Sequence, residues 1–320
     1  CSAGTVVFAY LSALQIAPRR RDIATGTAAL TAFNPQFLFL SGGASSDALF
    51  ILLNTIALYL ALKIANGWDR PRRSPLLLGL VVGLAALTKL SGLAAIALII
   101  GAYVLRVRQT ESPRLSKENV LAVVHPIALA LGAVVLVAGW WYVRNIVLYR
   151  DPLGMSVWMD RLVTPATASS LGEAIRRVAE SVVSYWGVFG WMNVLADEIF
   201  YTWARVLTLV GIVGMALLAA RTYWQRKTFR DQRWRALGLL ALWILVTATW
   251  LIGWTLIIAG PQGRLLFLAI AAISFFLFTG LTGWMLRRMG TVLSWLMAGV
   301  FVVISVLVPF RYIAPTYAQP

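Results

Sequence analysis

Four charged side chains stand where charge is costly or unexpected: Asp47 in SGGASSD, Lys89 in GLVVGLAALTKLSGL, Arg144 in WWYVRN and Arg264 in GPQGR. Each interrupts or borders a long apolar run, and a charge at mid-bilayer costs about 2.5 to 3.5 kcal/mol even on the lenient insertion scale. One Cys and one His exclude a disulfide framework, a zinc cluster and a two-histidine metal site built within this chain. Chemistry therefore falls to carboxylates, cations and hydroxyls. Asp47 can position a polar substrate or a divalent ion, or simply cap the helix that follows it. The helix carrying Lys89 rises only ~20 Å from the basic side, short of the ~30 Å hydrocarbon core. Its ammonium then either snorkels to the interface or meets an anion in a wet cavity, and phosphate binding is the preferred reading. Arg144 and Arg264 anchor an interface or, with Lys89, form a cationic pocket for an anionic headgroup.

The elements that must position these residues are membrane helices. Of 320 residues 60% are hydrophobic and 12% charged, and the mean hydropathy is +0.79; a soluble domain carries about 25% charge. The net charge of +16 and pI near 10.9 suggest nucleic acid in a soluble chain. Here the basic residues lie in short tracts between apolar runs, the arrangement that orients a polytopic membrane protein, and no nucleic-acid partner is expected. After a first run of about 15 residues, apolar runs occupy roughly 23 to 41, 48 to 65, 76 to 105, 120 to 143, 199 to 220, 236 to 259, 265 to 286 and 291 to 310. In lipid these must be helices.

Charge decides how the run from 76 to 105 is folded. Turned back at Lys89, it collects 19 of the 28 basic residues on one membrane face; as one span it splits them 15 to 12 with Lys89 buried. The positive-inside rule prefers the hairpin. The expectation is an all-α polytopic bundle of about ten membrane segments, one domain over 1–320, with both ends of the chain outward. On the outer face lie 41 to 47, a long loop from 144 to 198, and 260 to 264. Within the loop, Leu171, Ile175, Val178, Ala179, Val182, Val183 and Trp186 share one helical face and Glu173, Arg176, Arg177 and Glu180 the other. With Ser170 and Glu173 as a capping box, this predicts an amphipathic juxtamembrane helix at about 171–186. Asn34 and Pro35 should kink the second run, and Gly79 with Gly83 should let two helices pack closely.

FNPQFLFLSGGASSDALF, GLVVGLAALTKLSGL, GWWYVRNIVLYRDPLG and GPQGRLLFLAIAAI together resemble, in order and topology, the GT-C class of integral-membrane glycosyltransferases. The resemblance is to the bacterial branch similar to protein O-mannosyltransferases and the lipid A aminoarabinose transferase, from about Asn34 to Ala271. It implies inverting transfer of a sugar from a polyprenyl-phosphate donor to a lipid, glycan or protein acceptor, at the outer face of the inner membrane, with membrane lipids around it. On the matching positions the expectation is that Asp47 is a secondary acid and a ligand for a divalent metal ion, and that Lys89 and Arg264, joined by Arg144, bind the donor phosphate. The chain starts in what resembles the family's second span, so the expectation includes an N-terminal truncation: the first span, the outer loop bearing the general base, and with them turnover, are absent. A transporter or lipid flippase, and a non-catalytic subunit of an envelope-polymer assembly system, are the competing readings.

Overall fold

The computed structural model describes residues 1–43, 45–68, 70–107, 117–156, 170–190, 192–224, 232–257 and 262–318. The chain opens with α1 (Ser2–Ile16) and α2 (Arg21–Ala32), which pack side by side. The predicted kink is a full break: Asn34 leaves the helix, accepts the Phe37 amide on its Oδ1 at 3.0 Å and starts α3 (Pro35–Gly42). Proline suits this first position because its missing N–H would be unpaired there anyway. Next come α4 (Asp47–Ala65) and α5 (Arg73–Thr88).

Lys89 is extended, with φ −153° and ψ 146°, and a 3-10 segment (Leu90–Ala95) leads into α6 (Ile96–Val107). The chain reverses here as the charge count requires. Gly92 backs onto α5 so closely that a Cβ there would sit 2.3 Å from the Ala85 carbonyl oxygen. The helix α7 (Lys117–Tyr149) continues past the expected span end at 143 and absorbs the first residues assigned to the outer loop.

The predicted amphipathic helix is α8 (Leu171–Trp186), with Ser170 Oγ accepting the Glu173 amide at 3.2 Å. A hairpin of two-residue strands, β1 (Val188–Phe189) and β2 (Val194–Leu195), follows and is the one departure from an all-α pattern among the described residues. The remaining elements are α9 (Glu198–Trp224), α10 (Gln232–Ile257), a 3-10 segment (Gly263–Ala269), α11 (Ile270–Thr282), α12 (Arg287–Val308), a π-helical turn (Pro309–Ile313) and α13 (Ala314–Tyr317). Asp197 caps α9 through the Phe200 amide at 3.0 Å and receives Arg311 and the Tyr312 hydroxyl from the C-terminal turn. The Tyr312 hydroxyl, then the Phe200 amide and Arg311, hold its carboxyl below the usual carboxylate range.

Six described helical stretches are long and apolar enough to cross a membrane: Asp47–Ala65, Val120–Tyr149, Glu198–Arg221, Trp234–Ile257, Gly263–Thr282 and Arg288–Tyr317. The expected count of about ten is therefore too high by that measure. Ser2–Ile16, Arg73–Thr88 and Leu90–Arg106 are apolar but shorter, and the run from 23 to 41 is divided at Asn34. Asp47–Ala65 and Gly263–Thr282 form the centre, each 67% buried, while the stretches in α9 and α12 are each 17% buried and present their apolar sides outward. Small residues set the close crossings. Gly79 faces the Ala130 backbone and Gly83 faces Val137 of α7, as their spacing predicts; Gly280 of α11 lies against the Gly211 carbonyl of α9.

Candidate active site

Asp47 begins α4 and Lys89 ends α5, so two antiparallel helices bring their charged ends to one end of the bundle. The Lys89 ammonium donates to the Asp47 carboxylate in an ion pair, with the two side chains 32% and 17% exposed. The extended backbone at Lys89 makes this possible, because a helical residue there would carry its side chain on around the α5 cylinder. Lys89 Nζ also lies 5.7 Å from the Phe50 ring centroid, within cation–π range. Sequence alone offered each residue a separate role; the pairing across 42 residues is the structure's addition.

Behind the pair is a cavity of about 250 Å³ between the α5–α6 turn, α10 and the second 3-10 segment. Lys89 and Ser91 line it with Trp250 and Trp254, Leu265 closes another side, and Thr247 adds one hydroxyl. Thr247, Trp250 and Trp254 follow helical spacing, so α10 turns one face to the cavity. The Thr247 side-chain oxygen is buried and has no partner among the described residues. These α10 residues escaped sequence reasoning because an apolar span containing Trp and Thr looks the same whether it faces a cavity, lipid or another helix. The arrangement suits a ligand with an anionic end at Lys89 and an apolar body beyond it.

Arg264 sits in the second 3-10 segment beside Leu265, half-buried, with no hydrogen bond or ion pair among the described residues. Its position is fixed through Gly263, whose amide donates to Ser184 Oγ at 2.7 Å. A Cβ on Gly263 would lie 2.2 Å from the Tyr185 nitrogen, so glycine is required for α8 to dock. Gly260 and Pro261 of the same motif lie outside the described residues. On the other side of α8, Asn34 Nδ2 donates to the Tyr185 carbonyl at 3.1 Å and Gln36 Oε1 accepts the Val188 amide at 2.8 Å. The segment of α8 and the strand after it is thus clamped between the FNPQ and QGR motifs, a role for Asn34, Gln36 and Ser184 that the sequence pattern did not reveal. Its packed face is Ala174, Ser181, Ser184, Tyr185 and Trp186, while Leu171 and Ile175 remain exposed. The apolar stripe turns outward at Leu171, Ile175 and Ala179 and then inward, with Val183 packed on the core and Trp186 buried.

The structure does not bring Arg144 to this cavity. Because α7 runs on to Tyr149, Arg144 is an exposed helical residue whose guanidinium lies 4.8 Å from the Trp141 ring centroid and 6.0 Å from that of Tyr149. That is an interfacial anchor's environment. As for a metal, no group of three or more His, Cys, Asp or Glu occurs among the described residues, and Asp47 is engaged by Lys89. Asp47 alone does not fit a protein-held ion, although Mg²⁺ bound by one or two carboxylates plus substrate phosphates is a known arrangement.

Residues 1–148 match the family model of dolichyl-phosphate-mannose-protein mannosyltransferases. The match contains Asp47 and Lys89 and stops short of Arg264. No curated protein and no solved structure matches the chain. Residues 1–148, a little under half of the chain, are thus similar to a GT-C family of glycosyltransferases, and the six helical stretches long and apolar enough to cross a bilayer point to a multi-pass membrane protein.

Proposed function

We propose that the protein transfers a sugar from a polyprenyl-phosphate donor to an acceptor hydroxyl at the outer face of the inner membrane, with inversion at the anomeric carbon. The observation that carries this reading is the Lys89–Asp47 pair at the edge of an apolar cavity. It offers a cation for the phosphate, apolar surface for the adjoining prenyl chain and a carboxylate beside both. The acceptor oxygen attacks the anomeric carbon opposite the phosphate. The bond from that carbon to the phosphate oxygen breaks, its electron pair leaves with polyprenyl phosphate, and the acceptor proton passes to a carboxylate base. Lys89 and Arg264 stabilise the charge on the departing phosphate, each acting in a site of reduced dielectric where a fixed cation counts for more than in water. Asp47 is assigned the place of a secondary acid beside the phosphate site, and the base lies outside the residues lining this cavity. The outward orientation is supported by the placement of 19 of 28 basic residues on the opposite face.

The test is purified protein in liposomes with a panel of polyprenyl-phosphate sugars and acceptor lipids, glycans and peptides. The expected result is a new glycosidic linkage whose anomeric configuration is opposite to the donor's. Substrate movement across the bilayer with no new linkage would instead establish a transporter.

A further inference from the structure

Building on that reading of Lys89, we propose that Asp47 is an internal competitor of the donor phosphate. In the free protein its carboxylate occupies the Lys89 ammonium; an incoming prenyl phosphate takes over that ammonium and releases the carboxylate towards the acceptor side. Three observations converge on this exchange. The ion pair is direct, and it lies at the wall of the cavity, so the same ammonium serves both the carboxylate and the apolar space. Asp47 is 17% exposed and Lys89 32%, so the cation retains an open side from which an anion can approach. Arg264, which directly precedes the lining residue Leu265 in the chain and has no partner among the described residues, adds a second cation to the same segment, and two cations favour a phosphate over a single carboxylate as the final occupant.

The exchange sets an order. With the carboxylate held by Lys89, Asp47 cannot also hold an acceptor hydroxyl or an ion, so the acceptor side becomes competent only after donor has bound. It also gives a sign opposite to that of a donor-holding role: removing the charge of Asp47 must tighten phosphate binding, whereas removing a residue that grips the donor, directly or through a metal ion, must weaken it.

The experiment is a binding titration of the full chain in detergent with a short polyprenyl phosphate, run in parallel with inorganic phosphate and with the phosphate-free polyprenol. Lys89→Met should weaken polyprenyl phosphate binding about tenfold or more, the scale of a lost charge-assisted hydrogen bond. Asp47→Asn should tighten it on the order of fivefold, the upper end for a partly exposed ion pair. In the Lys89→Met background Asp47→Asn should have no effect, since nothing remains to compete for; tightening there would show general charge repulsion and overturn the exchange. Polyprenol binding should ignore Asp47, and an equal shift there would likewise contradict the proposal. Tightening confined to the lipid phosphate identifies a lipid headgroup site; equal tightening for inorganic phosphate identifies a free-phosphate site and keeps the exchange. Lys89→Gln and Asp47→Ser repeat the series if either first variant misfolds. If Lys89 variants bind donor normally, the phosphate reading of Lys89 itself fails. If they weaken binding but Asp47→Asn weakens it too, only the exchange fails.

Discussion

At the scale of single residues, the site depends on a contrast between two arginines. Arg264 is half-buried, one residue before the cavity-lining Leu265 and without a partner among the described residues, whereas Arg144 is exposed and lies over Trp141. An unpaired cation next to a cavity gains a full charge-assisted interaction when an anion arrives; one already lying over an aromatic face in contact with solvent gains little. Arg264→Met should therefore weaken donor binding about tenfold, and Arg144→Met by about twofold or less. Equal losses in the two variants would show that the headgroup is shared between the ends of α7 and the QGR turn. The positions of Asp47, Lys89 and Arg264 were legible because charge in an apolar run is conspicuous. Their pairing was not, because it depends on how far each helix extends before the chain turns.

At the scale of elements, α8 shows what a sequence pattern can and cannot carry. Its limits at Leu171 and Trp186 were legible, since Ser170 signals its start and the apolar stripe runs unbroken to Trp186. Its docking was legible only at Trp186, the one stripe residue that is buried, since the rest of the packed face includes the small and polar residues Ala174, Ser181 and Ser184, which no hydrophobic pattern marks. The 3-10 segments after Lys89 and at Gly263 were also invisible, because the choice between α and 3-10 hydrogen bonding leaves little trace in apolar periodicity. Asn34 joins these elements: its oxygen caps α3 and its nitrogen holds the Tyr185 carbonyl. Asn34→Ala should cost about 1 to 3 kcal/mol, one helix cap plus one buried hydrogen bond, and should raise amide hydrogen exchange across 171–186. Unchanged exchange in that segment would mean that Gly263 and Gln36 suffice to hold α8.

At the scale of the whole molecule, the charge distribution and the reversal at Lys89 are consistent with one another. The hairpin was inferred from positive charge alone, and the chain does turn at Lys89, where the backbone is extended and Gly92 backs onto Ala85 of α5. The count of spans fared less well, because helices of 15 or 16 residues such as α1 and α5 are long enough for a bundle flank yet short of a full crossing. In a Cys1→Ser background, a cysteine at Ser169 should react with an impermeant thiol reagent on intact cells and one at Thr228 should not, both positions lying outside the described residues. The reverse labelling would place the Lys89 end of the bundle on the inner face.

The most direct test of the account is an experimental structure of the protein with a polyprenyl phosphate bound. The account predicts a phosphate oxygen within about 3 Å of the Lys89 ammonium, the prenyl chain continuing along Trp250 and Trp254, and the Asp47 carboxylate no longer touching Lys89. A phosphate bound elsewhere, with the Lys89–Asp47 pair intact, would contradict it.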